Sequence, residues 1–290
     1  MINLIKKIKY FLQFFVISLF LLIFKLLGLK ISRLISKKIL TFIGPLFRSN
    51  VMTKANIDLA FSEKDQNFKE KIINQMWSTY GKILAEYSFI NNFKNQKLEK
   101  KIEVEGQSEL EKIRTSNKPV VFISGHFDNF ELMAMHIEKS GIDLATIYRP
   151  LNNHFLNPVM ENIRKKYICK KQIKKGISGT KDLLKYFKSG TSIALMIDQR
   201  VSEGIKCKFF GKEALTTTIP AQFVKKFNCQ IVPIHIERKK DDNFKLRVFK
   251  PMDFSKNDTL ESITLSLNLF LEKMILKSPG QWIWTHNRWK

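Results

Sequence analysis

Cysteine is nearly missing. The three present, Cys169, Cys207 and Cys229, are odd in number and far apart. They form neither a zinc motif nor a disulfide framework, and they suit a reducing cytosol. There is no HExxH, CxxC, P-loop or GxGxxG sequence, which removes the zinc-protease, dithiol, nucleotide-triphosphate and dinucleotide signatures. Acidic residues are also scarce: 26 Asp and Glu stand against 50 Lys and Arg, a formal charge of +24. That imbalance predicts an anionic partner, which leaves nucleic acid, an anionic membrane face or an acidic protein. Aromatic content is 24 Phe but only four Trp and six Tyr, without the stacking pattern of a nucleic-acid platform. Repeats, low-complexity segments and long linkers are absent between Ile31 and Lys290.

What is present begins with a long apolar segment. Tyr10 to Phe24 carries no charge and is mostly Phe, Leu and Ile. As a helix these residues span about 22 Å, short of a hydrocarbon core of about 30 Å. Extension to Leu29 closes the gap if Lys25 snorkels toward the headgroups. Residues 1–29 are expected to be a membrane anchor, either a tilted span or a helix lying in the interface. Basic residues flank it on both sides, with a modest excess that places the C-terminal part in the cytoplasm. Ile31 to Phe47 continues as a basic helix that hugs the membrane. The remaining 30–290 is expected to be one catalytic domain of the α/β class, since 290 residues suffice for a full core.

The centre of that domain is Val120 to Met135. The apolar run Val120 to Ile123 reads as a buried strand, broken by Ser124 and Gly125, and followed by a helix. His126 therefore sits where a strand turns into a helix, at the end of a sheet where ligands bind in open α/β folds. Glu131 lies five residues on. On one helix that spacing is roughly 500°, so the two meet only if His126 precedes the helix and Glu131 lies within it. Asp128 is the expected N-cap and Gly125 the bend. A carboxylate on one ring nitrogen sets the tautomer and frees the other nitrogen as a general base. The alternative is structural: Asp128-x-x-Glu131 also reads as a capping box.

Further strands are expected at Ile102 to Glu105, Asp143 to Ile147, Ser192 to Ile197, Gln230 to Glu237 and Lys245 to Phe249. The last two form a hairpin, and Pro233 marks an edge or bulge. Helices are expected over Phe68 to Phe89, Ser108 to Arg114, Thr180 to Phe187 and Thr259 to Leu276. Arg149 follows the second of these strands, where a guanidinium can hold a phosphate or an oxyanion. Asp198 follows the third and falls beside His126 if the strands are parallel, placed to bond Arg149 or to order the site. Thr216 to Thr218 precede another helix, as caps or, through Thr217 and the helix N–H groups, as an anion site. Arg164 to Lys175 holds seven basic residues and no acid, a solvated face or a patch for anionic partners.

Several of these segments carry a resemblance. Gly125-His126-Phe127-Asp128-Asn129-Phe130-Glu131-Leu132 resembles the HFxNWE segment of the lipid A biosynthesis acyltransferases. Asp128 stands where Gly is usual and Phe130 where Trp is. Asn56 with Ala60-Phe61, Trp77 with Gly81 and Glu86, Tyr148-Arg149-Pro150, Asp198-Gln199, and Pro279-Gly280-Gln281-Trp282-Ile283-Trp284 with His286, Arg288 and Trp289 also match that family in order. The likeness runs from about residue 50 to the C-terminus. It implies a central mixed sheet flanked by helices. It implies transfer of a fatty acyl chain from acyl carrier protein to a hydroxyl of a lipid A precursor, without a resident cofactor or metal. The implied setting is the cytoplasmic face of a bacterial inner membrane. His126 and Glu131 are then the catalytic pair, and Arg149, Asp198 and Thr217 the substrate-binding residues. A lysophospholipid or glycolipid acyltransferase, and a basic membrane scaffold without chemistry, are the rival readings; no nucleic-acid partner is expected.

Overall fold

Short apolar runs alternating with amphipathic segments dictate a sheet covered by helices. The computed structural model describes residues 3–47, 50–95 and 97–290, so Met1 and Ile2 of the expected anchor lie outside it. Among the described residues the α-helices α1 (Leu4–Phe47), α2 (Asn50–Ala60), α3 (Gln66–Glu86) and α4 (Ile90–Asn95) come first. Then follow β1 (Ile102–Glu105), α5 (Gln107–Ser116), β2 (Val121–Ser124), α6 (Glu131–Lys139), β3 (Leu144–Tyr148) and α7 (Leu156–Ile163). Next are β4 (Lys171–Lys174), α8 (Ile177–Lys188), β5 (Ser192–Met196), β6 (Ile205–Phe209), β7 (Lys212–Thr216) and α9 (Ile219–Phe227). The chain closes with β8 (Ile231–Arg238), β9 (Phe244–Val248) and α10 (Leu260–Lys277).

Among the described residues seven strands form one sheet in the order β1-β9-β8-β2-β5-β3-β4, and β6 with β7 makes a separate hairpin. The β8–β9 pair is antiparallel and its neighbours in the sheet are parallel, so the sheet is mixed as expected. All four residues of β2 are buried, because helices cover both faces of this central strand. Pro233 departs from expectation. It lies inside β8, between β9 and β2, rather than at an edge. Its missing N–H falls where the β2 pairing ends, at Ile123, while its carbonyl accepts from Phe249 N–H at 3.0 Å.

Helix α1 bends at Gly28, whose φ of 77° and ψ of 161° lie outside the helical region and suit glycine. The Ser32 hydroxyl spans the bend, donating to the carbonyls of Phe24 and Gly28. The bend adjoins the expected boundary at residue 29. Before it, Leu4, Ile5, Phe11, Leu12 and Phe15 are exposed, and among the described residues α1 is the helix long and apolar enough to cross a membrane. After it, α1 packs on α3. Two glycines permit the approach: a Cβ at Gly81 would lie 2.3 Å from the Ser36 carbonyl oxygen, and one at Gly44 would lie 2.2 Å from the Trp77 ring. The apolar half also touches the domain, since Asn153 donates to Tyr10 O at 2.8 Å and the Phe11 and Phe155 rings meet edge to face.

Candidate active site

Strand register builds the site. In the parallel pair β2–β5, Ser124 lies opposite Met196. Two residues beyond each partner stand His126 and Asp198, at the same end of adjoining strands. His126 Nδ1 lies 2.8 Å from Asp198 Oδ1, and the backbone N–H of His126 donates to Oδ2 at 2.7 Å. Trp282 Nε1 donates to the same Oδ2 at 2.9 Å. Gly125 allows this closeness: a Cβ there would sit 3.1 Å from Asp198 Oδ2 and 3.0 Å from both Leu271 and Phe127. The Asp198 side chain is wholly buried, whereas that of His126 is 20% exposed.

An ionised carboxylate only accepts, so His126 Nδ1 carries the proton and Nε2 keeps its lone pair. Among the described residues Nε2 has no hydrogen-bond partner. Burial alone would lower the His126 pKa, but the Asp198 charge and hydrogen bond outweigh it and the net direction is up. Burial likewise opposes ionised Asp198, yet His126 and the N–H donors hold its pKa below the usual value. The Phe130 ring stands edge-on to the imidazole, with centroids 4.9 Å apart, and limits its swing.

The expected pairing of His126 with Glu131 is therefore not the one formed. Glu131 opens α6, and its Oε1 accepts from Tyr87 Oη at 2.7 Å and from Arg164 Nε at 2.8 Å and Nη2 at 2.7 Å. Its charge still reaches the ring and raises the His126 pKa. Neither is Asp128 the N-cap: that position is Phe130, without a side-chain cap bond, and no capping box joins Asp128 to Glu131. Asp128 adopts a left-handed φ of 37° and turns its carboxylate onto buried Arg238. The hydrogen-bonding demand of a buried guanidinium outcompetes the cap.

Arg149 is exposed just past β3, and among the described residues its guanidinium is unpaired. It does not bond Asp198, whose oxygens are taken by His126 and Trp282. Thr217 accepts weakly from Ile219 N–H at 3.3 Å, while Thr218 is the N-cap residue of α9. The basic run divides: Arg164 turns inward to Glu131, Lys171 pairs with Asp143 at 2.5 Å, and Lys165, Lys166, Lys170, Lys174 and Lys175 stay exposed. The three cysteines are free, and burial pushes the Cys169 thiol up to about 12. Among the described residues no three His, Cys, Asp or Glu side chains gather in a metal-holding group.

The C-terminal segment supports the site from outside the sheet. Asp128 N–H donates to Gln281 O at 2.8 Å, and Phe127 bridges Trp282. His286 Nε2 accepts from Arg200 N–H, and Arg288 donates to Thr216 and to the Leu215 carbonyl. Asn56 fastens this segment to α2 by donating to the carbonyls of Trp284 and His286. Trp282 and Trp284 are thus core residues.

A model of the family described as bacterial lipid A biosynthesis acyltransferase matches residues 3–290. The chain belongs to that family. This acyltransferase is 24% identical over 252 residues to the lipid A biosynthesis palmitoleoyltransferase of Escherichia coli K12, covering 84% of this chain and 80% of that protein. It is 23% identical over 241 residues to the lauroyltransferase of the same organism, covering 81% and 77%. The myristoyltransferase is 21% identical over 234 residues, covering 79% and 71%. Tyr87, Arg164, Arg238 and Trp282 are site residues that sequence reasoning did not single out for these contacts. Arg164 is hidden in a basic run; it opens a π-helical stretch, Arg164–Ile168, at the end of α7.

Proposed function

We propose that this acyltransferase moves a fatty acyl chain from the thioester of acyl carrier protein to a hydroxyl of a lipid A precursor. The His126–Asp198 contact at the sheet end carries the proposal, since it leaves one imidazole nitrogen free to take a proton. His126 Nε2 removes the proton of the acceptor hydroxyl while Asp198 holds the ring and stabilises the imidazolium. The hydroxyl oxygen forms a bond to the acyl carbon, the carbon–sulfur bond breaks, and the imidazolium returns its proton to the departing thiolate. No acyl-enzyme is required: Ser124 lies outside any G-x-S-x-G sequence, and the Cys169 thiol is buried and its pKa raised.

Glu131 adds negative charge near the imidazolium and holds Arg164 beside the site. Exposed Arg149 grips a phosphate of the acceptor. The lysines of the 165–175 stretch favour an acidic carrier protein, although two of them, Lys171 and Lys174 on edge strand β4, also guard against strand pairing. The apolar half of α1 inserts in the inner membrane, and its basic flanks set the catalytic domain on the cytoplasmic face.

The test is direct transfer by the purified full chain. Labelled acyl–acyl carrier protein is offered with a panel of lipid A precursors and lysophospholipids, and products are read by mass spectrometry. One added ester-linked chain on the lipid A precursor is expected, and is lost in His126→Ala. Acylation of lysophospholipids alone, or an acyl-protein adduct trapped by rapid quench, overturns the proposal.

A further inference from the structure

Behind the His126 loop lies a cluster of buried charges that takes no direct part in proton transfer. Glu86, Asp128, Arg33 and Arg238 are all buried, two acids against two guanidinium groups. Glu86 is the hub. Its Oε1 accepts from Arg33 Nε and Arg238 Nη1, each at 2.6 Å. Its Oε2 accepts from Asn129 Nδ2 at 2.8 Å and from Arg238 Nη2 at 3.2 Å. Arg238 also reaches Asp128, Nε to Oδ2 at 3.0 Å and Nη2 to Oδ1 at 2.5 Å.

These four residues come from four parts of the chain. Arg33 lies on α1, just past the Gly28 bend; Glu86 ends α3; Arg238 ends β8; Asp128 and its neighbour Asn129 belong to the His126 loop. Beside its backbone pairing with Gln281 and Trp282, the loop is fastened by side chains at two places. Asp198 holds its start through the His126 N–H, and the cluster holds its far side through Asp128 and Asn129. The left-handed φ of Asp128 is costly for a non-glycine residue and persists only where its surroundings impose it. Arg238 holds the side chain with two hydrogen bonds while Gln281 O holds the Asp128 N–H. Removal of one member leaves an uncompensated charge in the interior, so the cluster behaves as a unit.

We propose that Glu86 is a positioning residue for acyl transfer: it anchors Arg238 and Asn129, thereby fixing the His126 loop against Asp198, and through Arg33 makes that fix depend on how α1 is seated. The proposal rests on His126 as the base. A change in the tilt of the membrane helix would be felt at the loop through one guanidinium.

The test uses Glu86→Gln, Arg33→Gln and the double variant in the full-length protein. Glu86→Gln is expected to lower kcat on the order of 10–100-fold with KM changed less than about 2-fold, because a misplaced base costs rate rather than binding. Arg33→Gln is expected to lower kcat by less, and the double variant to be no worse than Glu86→Gln alone, since both act through one anchor. Hydrogen exchange followed by mass spectrometry reads the loop independently. Faster exchange confined to 125–130 is expected in each single variant. That measurement holds even if wild type transfers no acyl chain, so its outcome is separate from that of the functional proposal. Additive losses in kcat, or unchanged exchange at 125–130 in folded protein, would overturn the positioning role. If Glu86→Gln does not fold, the exchange and kcat of Arg33→Gln decide the matter by the same criteria.

Discussion

Asp198 sets the protonation behaviour of the site. The raised pKa of His126 means that neutral base appears only as pH climbs past the ordinary imidazole value of 6.5. Transfer should therefore rise with pH through an inflection above that value. Asp198→Asn removes the charge that holds the proton, so the inflection should move to lower pH while the plateau rate falls on the order of 10²–10⁴-fold. A pH–rate profile of both proteins checks this, and an unmoved inflection would remove Asp198 from the role. The same pair contributes to stability with two signs. The raised His126 pKa contributes below the unfolded imidazole value and its share is lost as pH rises through the folded one. The depressed Asp198 pKa contributes above the unfolded carboxyl value and its share is lost as pH falls through the folded one.

At the scale of elements, the α1–α3 contact depends on a residue without a side chain. Gly81→Ala would place a Cβ 2.3 Å from the Ser36 carbonyl oxygen, which is backbone and cannot rotate away. The helices must part, and a loss of about 1–3 kcal/mol is expected. Thermal unfolding in detergent measures it; an unchanged Tm would mean the helices are not held at this distance. Where apolar periodicity is local the elements were legible: β2 to α6, β5 and the β8–β9 hairpin lie where apolar runs place them, whereas α7, basic β4 and the short β6–β7 hairpin carry no such run and were not anticipated. The sheet end was legible too, and with it the neighbourhood of His126 and Asp198. Which acid meets the imidazole was not. Glu131 is nearer in sequence, but Tyr87 and Arg164 claim it, and both arrive from distant segments. Asp128 was misread for the same reason, since Arg238 is 110 residues away.

For the whole molecule, a bent helix ties an apolar, exposed half to a packed half. Membranes carrying the protein should retain it through washes at high salt, because salt screens the lysines but does not weaken apolar insertion. Complete release into the supernatant, followed by immunoblot, would mean that charge alone holds it there. The alignment of β2 with β5 has a consequence for how such chains vary. His126 and Asp198 trail their strands by the same step, so one residue gained or lost beside either would swing that side chain to the opposite side of the sheet. The few positions flanking each partner must therefore keep count.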